Sequence, residues 1–255
     1  TAEEKAIELH GELPPSDHKN DEMHDILIFQ TAADECERMA KSLEAQLEGV
    51  LCVPLHGGLE KDEQRVAINP HDCSQYTRKI VIATNIAEAS VTINGIGVVI
   101  DPGVSKQARY DPAKDATVLR IGSISQSSAR QRAGRAGRTA PGECYRLYSE
   151  HEYDQFTQDS PAELLRADAT EAMLSVLRQL QKQTEWIDDV RKFPFVEHPG
   201  KDRLERALHQ LHHMGALESV DSSKLTDEGN EMACMQSGSP RICTILFEAR
   251  RQKIL

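Results

Sequence analysis

The chain has 255 residues, 39% of them hydrophobic, and a formal net charge of −11 at pH 7. That length suits one or two domains with a real core. No apolar run approaches the ~20 residues that span a bilayer, and no signal-peptide pattern opens the chain. The six cysteines (36, 52, 73, 144, 234, 243) contain no CxxC pair, which argues against a zinc site and for isolated thiols in a reducing, intracellular compartment; nothing separates nucleus from cytoplasm. A chain that opens at Thr1 rather than Met, and stops at Leu255 inside a helical pattern, is expected to be a piece of a longer protein.

Glu3 to Leu9 reads as a helix, followed by a polar segment from Pro14 to Met23. Asp25–Phe29 and Val50–Leu55 are short apolar runs of the kind that form buried parallel strands, and Lys79–Ala83 and Gly97–Ile100 are two more. Helical spacing fills Thr31–Leu47 and Leu59–Ile68. Strand–helix alternation of this kind predicts an α/β doubly wound parallel sheet, with ligands beyond the carboxyl ends of the strands. Thr31, His56, Thr84 and Asn85 all fall just past strand ends, so one ligand edge collects them. An alternating stretch, Ser105–Ile121, predicts a hairpin. After Ser149 helical periodicity dominates, with Leu164, Met173, Leu177 and Leu180, then Leu204, Leu208 and Leu211, broken by Phe193-Pro194-Phe195. There is no internal repeat and no low-complexity tract.

The segment Gln131-Arg132-Ala133-Gly134-Arg135-Ala136-Gly137-Arg138 carries the most chemical information. Each arginine presents a rigid, permanently charged fork that suits phosphate oxygens. Glycines before the second and third arginines let the backbone turn and be approached closely. The octet reads as a phosphate clamp; the bland alternative is a solvated basic turn. Ser125 or Ser127 is a candidate cap for the helix leading into it. Between Asp101 and Arg146 nine basic residues face four acidic ones, a local +5 that leaves −16 on the rest of a chain whose total is −11. A basic stripe on an acidic body fits a confined nucleic-acid channel better than broad electrostatic wrapping.

The octet resembles motif VI of the DEAH-box (DEAH/RHA) group of superfamily 2 ATP-dependent RNA helicases. Ile80–Ile100 resembles motif V with its flanking strands, Asp101–Ala129 the connecting hairpin segment, and Pro141–Ser149 the family's PGxCxRLY. The resemblance implies a RecA-like second helicase domain over residues 1–150, a mostly helical winged-helix domain over 151–226, and the start of a helical-bundle (ratchet) domain over 227–255, opened by Leu225-Thr226-Asp227-Glu228-Gly229. It implies ATP or another NTP with Mg2+ as the nucleotide, and RNA and an upstream first RecA-like domain as partners. A G-patch-type activator is a further partner of such winged helices, although no residue here specifies one. Translocation 3′ to 5′ is the family's direction. Carried over by position, Gln131 would contact the γ-phosphate, Arg135 and Arg138 would act as arginine fingers, and Arg132, Ser90, Thr92, Asn94 and Ile68 would serve the nucleotide. Thr84, Asn85 and Thr31 would hold RNA phosphates. The hairpin would help to separate strands at the duplex junction. Within the family, Ile124–Glu150 most resembles large plant helicases that also bear RING-related modules.

Several positions depart from the family pattern. Gly57 stands in place of a serine, Ile68 in place of a base-stacking phenylalanine, Ala89 in place of threonine and Asn94 in place of a frequent aspartate. The plain reading of Ile68 is core, and that of Thr31, Thr84 or Asn85 a helix cap. Asp21-Glu22-Met23-His24 imitates a DEAH box but lies in a polar segment before a strand, not after one. His209, His212 and His213 read as a solvated helix face, not a metal site. No G-x-x-x-x-G-K-[ST] occurs, so the nucleotide cradle must come from another segment and the chain alone should not hydrolyse ATP. Two other readings stay open: a catalytically inactive RNA-binding or scaffold module, and a DNA-directed helicase on the same framework.

Overall fold

The apolar runs form the strands they predict. A computed structural model describes residues 1–17, 24–111, 114, 116–138, 141–166, 168–182, 189–235 and 239–254, with Ala116 and Glu163 described by backbone only. β1 (Asp25–Phe29), β2 (Val50–Leu55), β3 (Arg78–Ala83) and β4 (Ile96–Asp101) are parallel and almost wholly buried. The hairpin consists of β5 (Val104–Asp111) and β6 (Ala116–Ser123). A short strand that the sequence reading did not single out, β7 (Glu143–Arg146), adds to the edge beside β4 and completes a five-stranded sheet in the order β2-β3-β1-β4-β7. Its polar sequence follows from its edge position, where only two of its four side chains are half-buried.

Alternation along the strands builds two cores. Ile26, Ile28, Ile80, Ile82 and Ile100 face α1 (Ala2–Glu12) and α2 (Ala33–Gln46). Leu27, Phe29, Val81, Ala83 and Val99 face the other layer, which contains α3 (Lys61–Ile68), the one-turn helix α4 (Ile86–Ala89) and Ala136. This is a RecA-like α/β architecture, a parallel sheet with helices on both faces. α5 (Gln126–Ala133) and α6 (Glu150–Asp154) complete the first of two compact units, Thr1–Gln107 with Leu119–Ser160.

The second unit comprises Ala108–Val118 and Pro161–Leu255. It contains α7 (Glu163–Arg166), α8 (Ala169–Lys182), α9 (Lys201–His213), α10 (Asp227–Cys234) and α11 (Pro240–Arg251). The apolar positions read from helical spacing make its core: Met173, Leu177 and Leu180 on α8 meet Leu204, Leu208 and Leu211 on α9. A single antiparallel bridge joins Leu217 to Leu225. The Thr226…Gly229 motif now has a physical basis. Thr226 caps α10 by accepting from the Gly229 N–H (2.9 Å) and donates to the Gly215 carbonyl (2.6 Å). A Cβ at Gly229 would collide with the Ala216 carbonyl, so only glycine lets α10 begin there.

Two charges are buried at the start of β3. The Arg78 guanidinium donates to the carbonyls of His10 (3.1 Å) and Leu13 (2.9 Å) and so closes the end of α1. Lys79 Nζ donates to the carbonyls of Ala67 (2.9 Å) and Asn69 (2.6 Å) at the end of α3. Burial pushes the Lys79 pKa down from 10.5 to about 8, opposed by Asp25. The folded lysine therefore sheds its proton near pH 8, whereas the unfolded one holds it to about 10.5. Within that window the unfolded chain binds more protons, so stability rises with pH. Denaturant titrations at pH 7.5, 8 and 9 should show this rise, at most about 1.4 kcal/mol per pH unit, and Lys79→Met should abolish it. An equal slope in the variant would remove Lys79 as its source.

Candidate functional site

Parallel strands bring their C-terminal ends to one edge, and hydrogen bonds tie the loops there together. The Thr84 N–H donates to the Leu55 carbonyl (3.1 Å) and the Gln30 N–H to the Ala83 carbonyl (2.7 Å). Thr31, His56, Thr84 and Asn85 are thereby gathered, as the sequence predicts. Thr84 is half-buried and Asn85 exposed, and neither side chain has a hydrogen-bond partner among the described residues. Asn85 occupies the cap position of α4 but makes no capping bond. Thr31 is not a cap either. Ala32 takes that position, and the Glu35 carboxylate receives both the N–H (3.3 Å) and the hydroxyl (2.5 Å) of Thr31. His56 is buried with its Nε2 3.4 Å from Glu37. The exposed Gly57 has no acceptor for its N–H among the described residues.

From this edge the chain must return to the opposite end of the sheet to begin β4. The crossover Thr84–Gly95 therefore spans the sheet, roughly 20 Å for six-residue strands, and buries Ala87 and Ile93 against the face of Leu27 and Phe29. Ser90 closes α4, and Ser90, Thr92 and Asn94 are exposed along the way. Gly95 (φ 88°) makes the final turn in a conformation that favours glycine. The Asn94 N–H donates to the Ile68 carbonyl (3.1 Å), so these two predicted nucleotide residues are neighbours. Ile68 is half-buried and belongs to neither sheet core.

The octet lies beside this crossover. Ser125 caps α5 by accepting from the Ser128 N–H (3.1 Å), which selects between the two candidate serines. Gln131 is exposed. The Arg138 guanidinium donates to Thr92 Oγ1, and that of Arg135 to the carbonyls of Val91 (2.9 Å) and Glu88. Burial and the adjacent Arg138 charge lower the Arg135 pKa, opposed by Glu88. Two cations held this close are poised for a multivalent anion. Arg132 behaves differently. The sequence groups it with the nucleotide contacts, yet its side chain is fully buried. Its Nε lies 3.0 Å from Glu88, its Nη1 2.9 Å from Asp101 and 3.1 Å from the Val104 carbonyl, and its plane covers the Phe29 ring at 4.5 Å. Any effect on a nucleotide must pass through these partners.

The chain turns over Gly134–Gly137, as the octet predicts, but the turn itself does not demand glycine. Neither Gly134 nor Gly137 has positive φ, and a Cβ at Gly137 would meet nothing within 4 Å among the described residues, its chain neighbours aside. The glycine that packing does require is Gly142, where a Cβ would collide with the carbonyls of Ala136 and Gly97. Sequence reasoning also missed Glu88 and Asp101, the carboxylates that hold Arg132, and Tyr148, whose hydroxyl donates to Asp101 (3.1 Å). Two signals were there for the carboxylates, an aspartate at the end of an apolar strand run and an isolated glutamate among apolar residues, and none for Tyr148.

The hairpin exposes Lys106, Arg109, Lys114, Leu119 and Ile121. His209, His212 and His213 are exposed on α9. Among the described residues no group of three or more His, Cys, Asp or Glu is placed to hold a metal ion. Asp21, Glu22 and Met23 of the DEAH look-alike lie outside the described residues. No described helix is long and apolar enough to cross a membrane.

Comparison with known proteins gives this geometry a family. Residues 4–140 match the helicase conserved C-terminal domain. Among curated relatives, the ATP-dependent RNA helicase DEAH11, chloroplastic, of Arabidopsis thaliana is 37% identical over 84% of the chain and 11% of its own length. The ATP-dependent RNA helicase DHX33 of Mus musculus is 34% identical over 96% of the chain and 34% of its own length. The chain thus spans about a tenth of the plant relative and about a third of the mouse one. Among solved structures, the Escherichia coli DEAH/RHA helicase HrpB superposes with a TM-score of 0.80 at 31% identity, over 96% of this chain and 29% of that one. The chain belongs to the helicase conserved C-terminal domain family, in its DEAH/RHA branch.

Proposed function

We propose that the chain supplies the second half of the motor of an ATP-dependent RNA helicase, with the winged-helix domain over 151–226 and the start of the helical bundle over 227–255. The observation that carries this reading is the crossover Thr84–Gly95. One end lies at the strand edge with Thr31 and His56, and the other is bonded to Arg135 and Arg138. Thr84, Asn85 and the Gly57 N–H would hold RNA phosphates, and Thr31 would join them once its hydroxyl turns away from Glu35; such contacts position a strand without reading its sequence. On the other side, Arg135 and Arg138 would meet the γ-phosphate presented by an upstream RecA-like domain and stabilise the charge that develops on it during transfer. Gln131 would orient the same group, and Arg132 would act from within, by holding α5 in place. Ser90, Thr92 and Asn94 would sense the nucleotide, with Ile68 against its base. The chain lacks the phosphate cradle and alone would be inactive. The winged-helix surface is where a G-patch-type activator would bind.

Arg138→Ala in the full-length protein should lower RNA-stimulated ATP hydrolysis by about 10³-fold or more while leaving RNA affinity intact. Retained turnover would sink the finger assignment, and RNA binding without turnover in either protein would favour the scaffold reading. Gly137→Ala adds a methyl that meets nothing within 4 Å among the described residues, its chain neighbours aside, so its melting temperature should stay within a few degrees, a change under about 0.5 kcal/mol. Its turnover should nonetheless fall at least about tenfold, because the phosphate side is approached from outside; unchanged turnover would show that nothing approaches there. An aliphatic Ile68 lacks the aromatic stacking contribution of ~0.5–1.5 kcal/mol. Steady-state kinetics should then give kcat/KM for ATP and GTP within a few-fold of each other, and a strong ATP preference would count against the base contact.

A further inference from the structure

Glu88 lies on the single turn of α4, between the Thr84–Asn85 end of the crossover and the Ser90–Asn94 end. Its carboxylate accepts from Ser128 Oγ (2.6 Å) and Arg132 Nε (3.0 Å), and its backbone carbonyl accepts from the Arg135 guanidinium. Ser128 and Arg132 share one face of α5 at i, i+4 spacing, and Arg135 follows just past the cap residue Gly134. One residue of the crossover is therefore gripped through its side chain by α5 and through its backbone by a proposed finger in the turn that follows α5. The carboxylate is 15% exposed, so its bonds compete little with water.

We propose that Glu88 is a positioning residue that couples RNA binding to nucleotide binding. The proposal rests on the reading of Thr84 and Asn85 as RNA contacts and of Arg135 and Arg138 as fingers. α4 is too short to bend internally, so a displacement of its Glu88 end is passed to Asn85 at its other end. When Arg135 turns toward a γ-phosphate it must leave the Glu88 carbonyl. The carboxylate bonds to Ser128 and Arg132 then decide whether α4 follows α5 or stays. Bound nucleotide thereby changes the placement of Thr84 and Asn85, and bound RNA changes the cost of moving Arg135. The coupling is reciprocal by thermodynamic necessity.

Two variants separate this role from a contribution to folding. Glu88→Gln removes the charge but leaves Arg132 its ion pair with Asp101. Ser128→Ala removes one bond and places a good helix former in α5. Both belong in the full-length protein, with the affinity for a fluorescently labelled single-stranded RNA measured by anisotropy, with and without a non-hydrolysable ATP analogue. The wild type should show an analogue-dependent change within the usual range of about five- to 150-fold. Glu88→Gln should reduce it below about twofold and Ser128→Ala should reduce it partially. RNA affinity without nucleotide and analogue affinity should match the wild type in both variants; the melting temperature should match it in Ser128→Ala and fall in Glu88→Gln, which takes one of two carboxylates from buried Arg132, without either affinity following. A full-sized change in Glu88→Gln, or affinities and melting temperature falling together in both variants, would overturn the proposal. RNA-stimulated turnover on the same samples distinguishes the two levels. A wild type that hydrolyses ATP while Glu88→Gln keeps the full effect refutes only the coupling role. A wild type that binds neither RNA nor the analogue refutes the motor reading, and the coupling with it.

Discussion

A fully buried guanidinium holds the first unit together. Removing such a charge from water is tolerable only when its partners are close and well oriented, and removing one partner leaves an uncompensated charge inside the protein. Arg132 meets this condition with Glu88 from α4, Asp101 from the end of β4 and the Val104 carbonyl from the base of the hairpin, above the ring of Phe29 from β1. Three stretches distant in sequence, at Phe29, Glu88 and Asp101–Val104, are thus referred to one side chain. Nη2 alone lacks a hydrogen bond, so the arrangement is nearly but not fully satisfied. Asp101 is fixed in turn by the Gly103 N–H (2.9 Å) and the Tyr148 hydroxyl, which brings the segment after β7 into the same network.

This network explains why an octet with three arginines does not present three equal charges. The first arginine is structural cement, the second is nearly buried on crossover carbonyls, and the third is exposed on Thr92. Spacing alone treats them alike, since all three side chains have the same chemistry. What differentiates them is the position of Glu88 and Asp101, and no sequence pattern announces that two separate carboxylates will meet one guanidinium.

The strands were legible because short continuous apolar runs have few other uses in an α/β chain, and β1 and β2 begin and end where the runs do. The edge that gathers Thr31, His56, Thr84 and Asn85 was legible for the same reason, because parallel strands align their ends. Lys79 was readable as the start of a strand but not as an interior residue. Its burial depends on the carbonyls of α3, which local sequence does not reveal. β7 escaped notice because an edge strand four residues long need not be apolar. Thr31 invited a capping role that Ala32 fills, because Glu35 reaches back to take the threonine's donors.

The hairpin leaves the first unit at Gln107 and returns at Leu119, and the chain departs again after Ser160. The backbone therefore passes between the two units three times, not once. A cut after Ser160 would leave Ala108–Val118 attached to the first unit, and a second unit produced from Pro161 onward would lack that piece of itself. Among the missing atoms would be the Tyr110 ring, which lies 5.8 Å from the guanidinium carbon of Arg206 on α9. The second unit is thus discontinuous in sequence: its first contribution is inserted, as a single loop, into the middle of its neighbour.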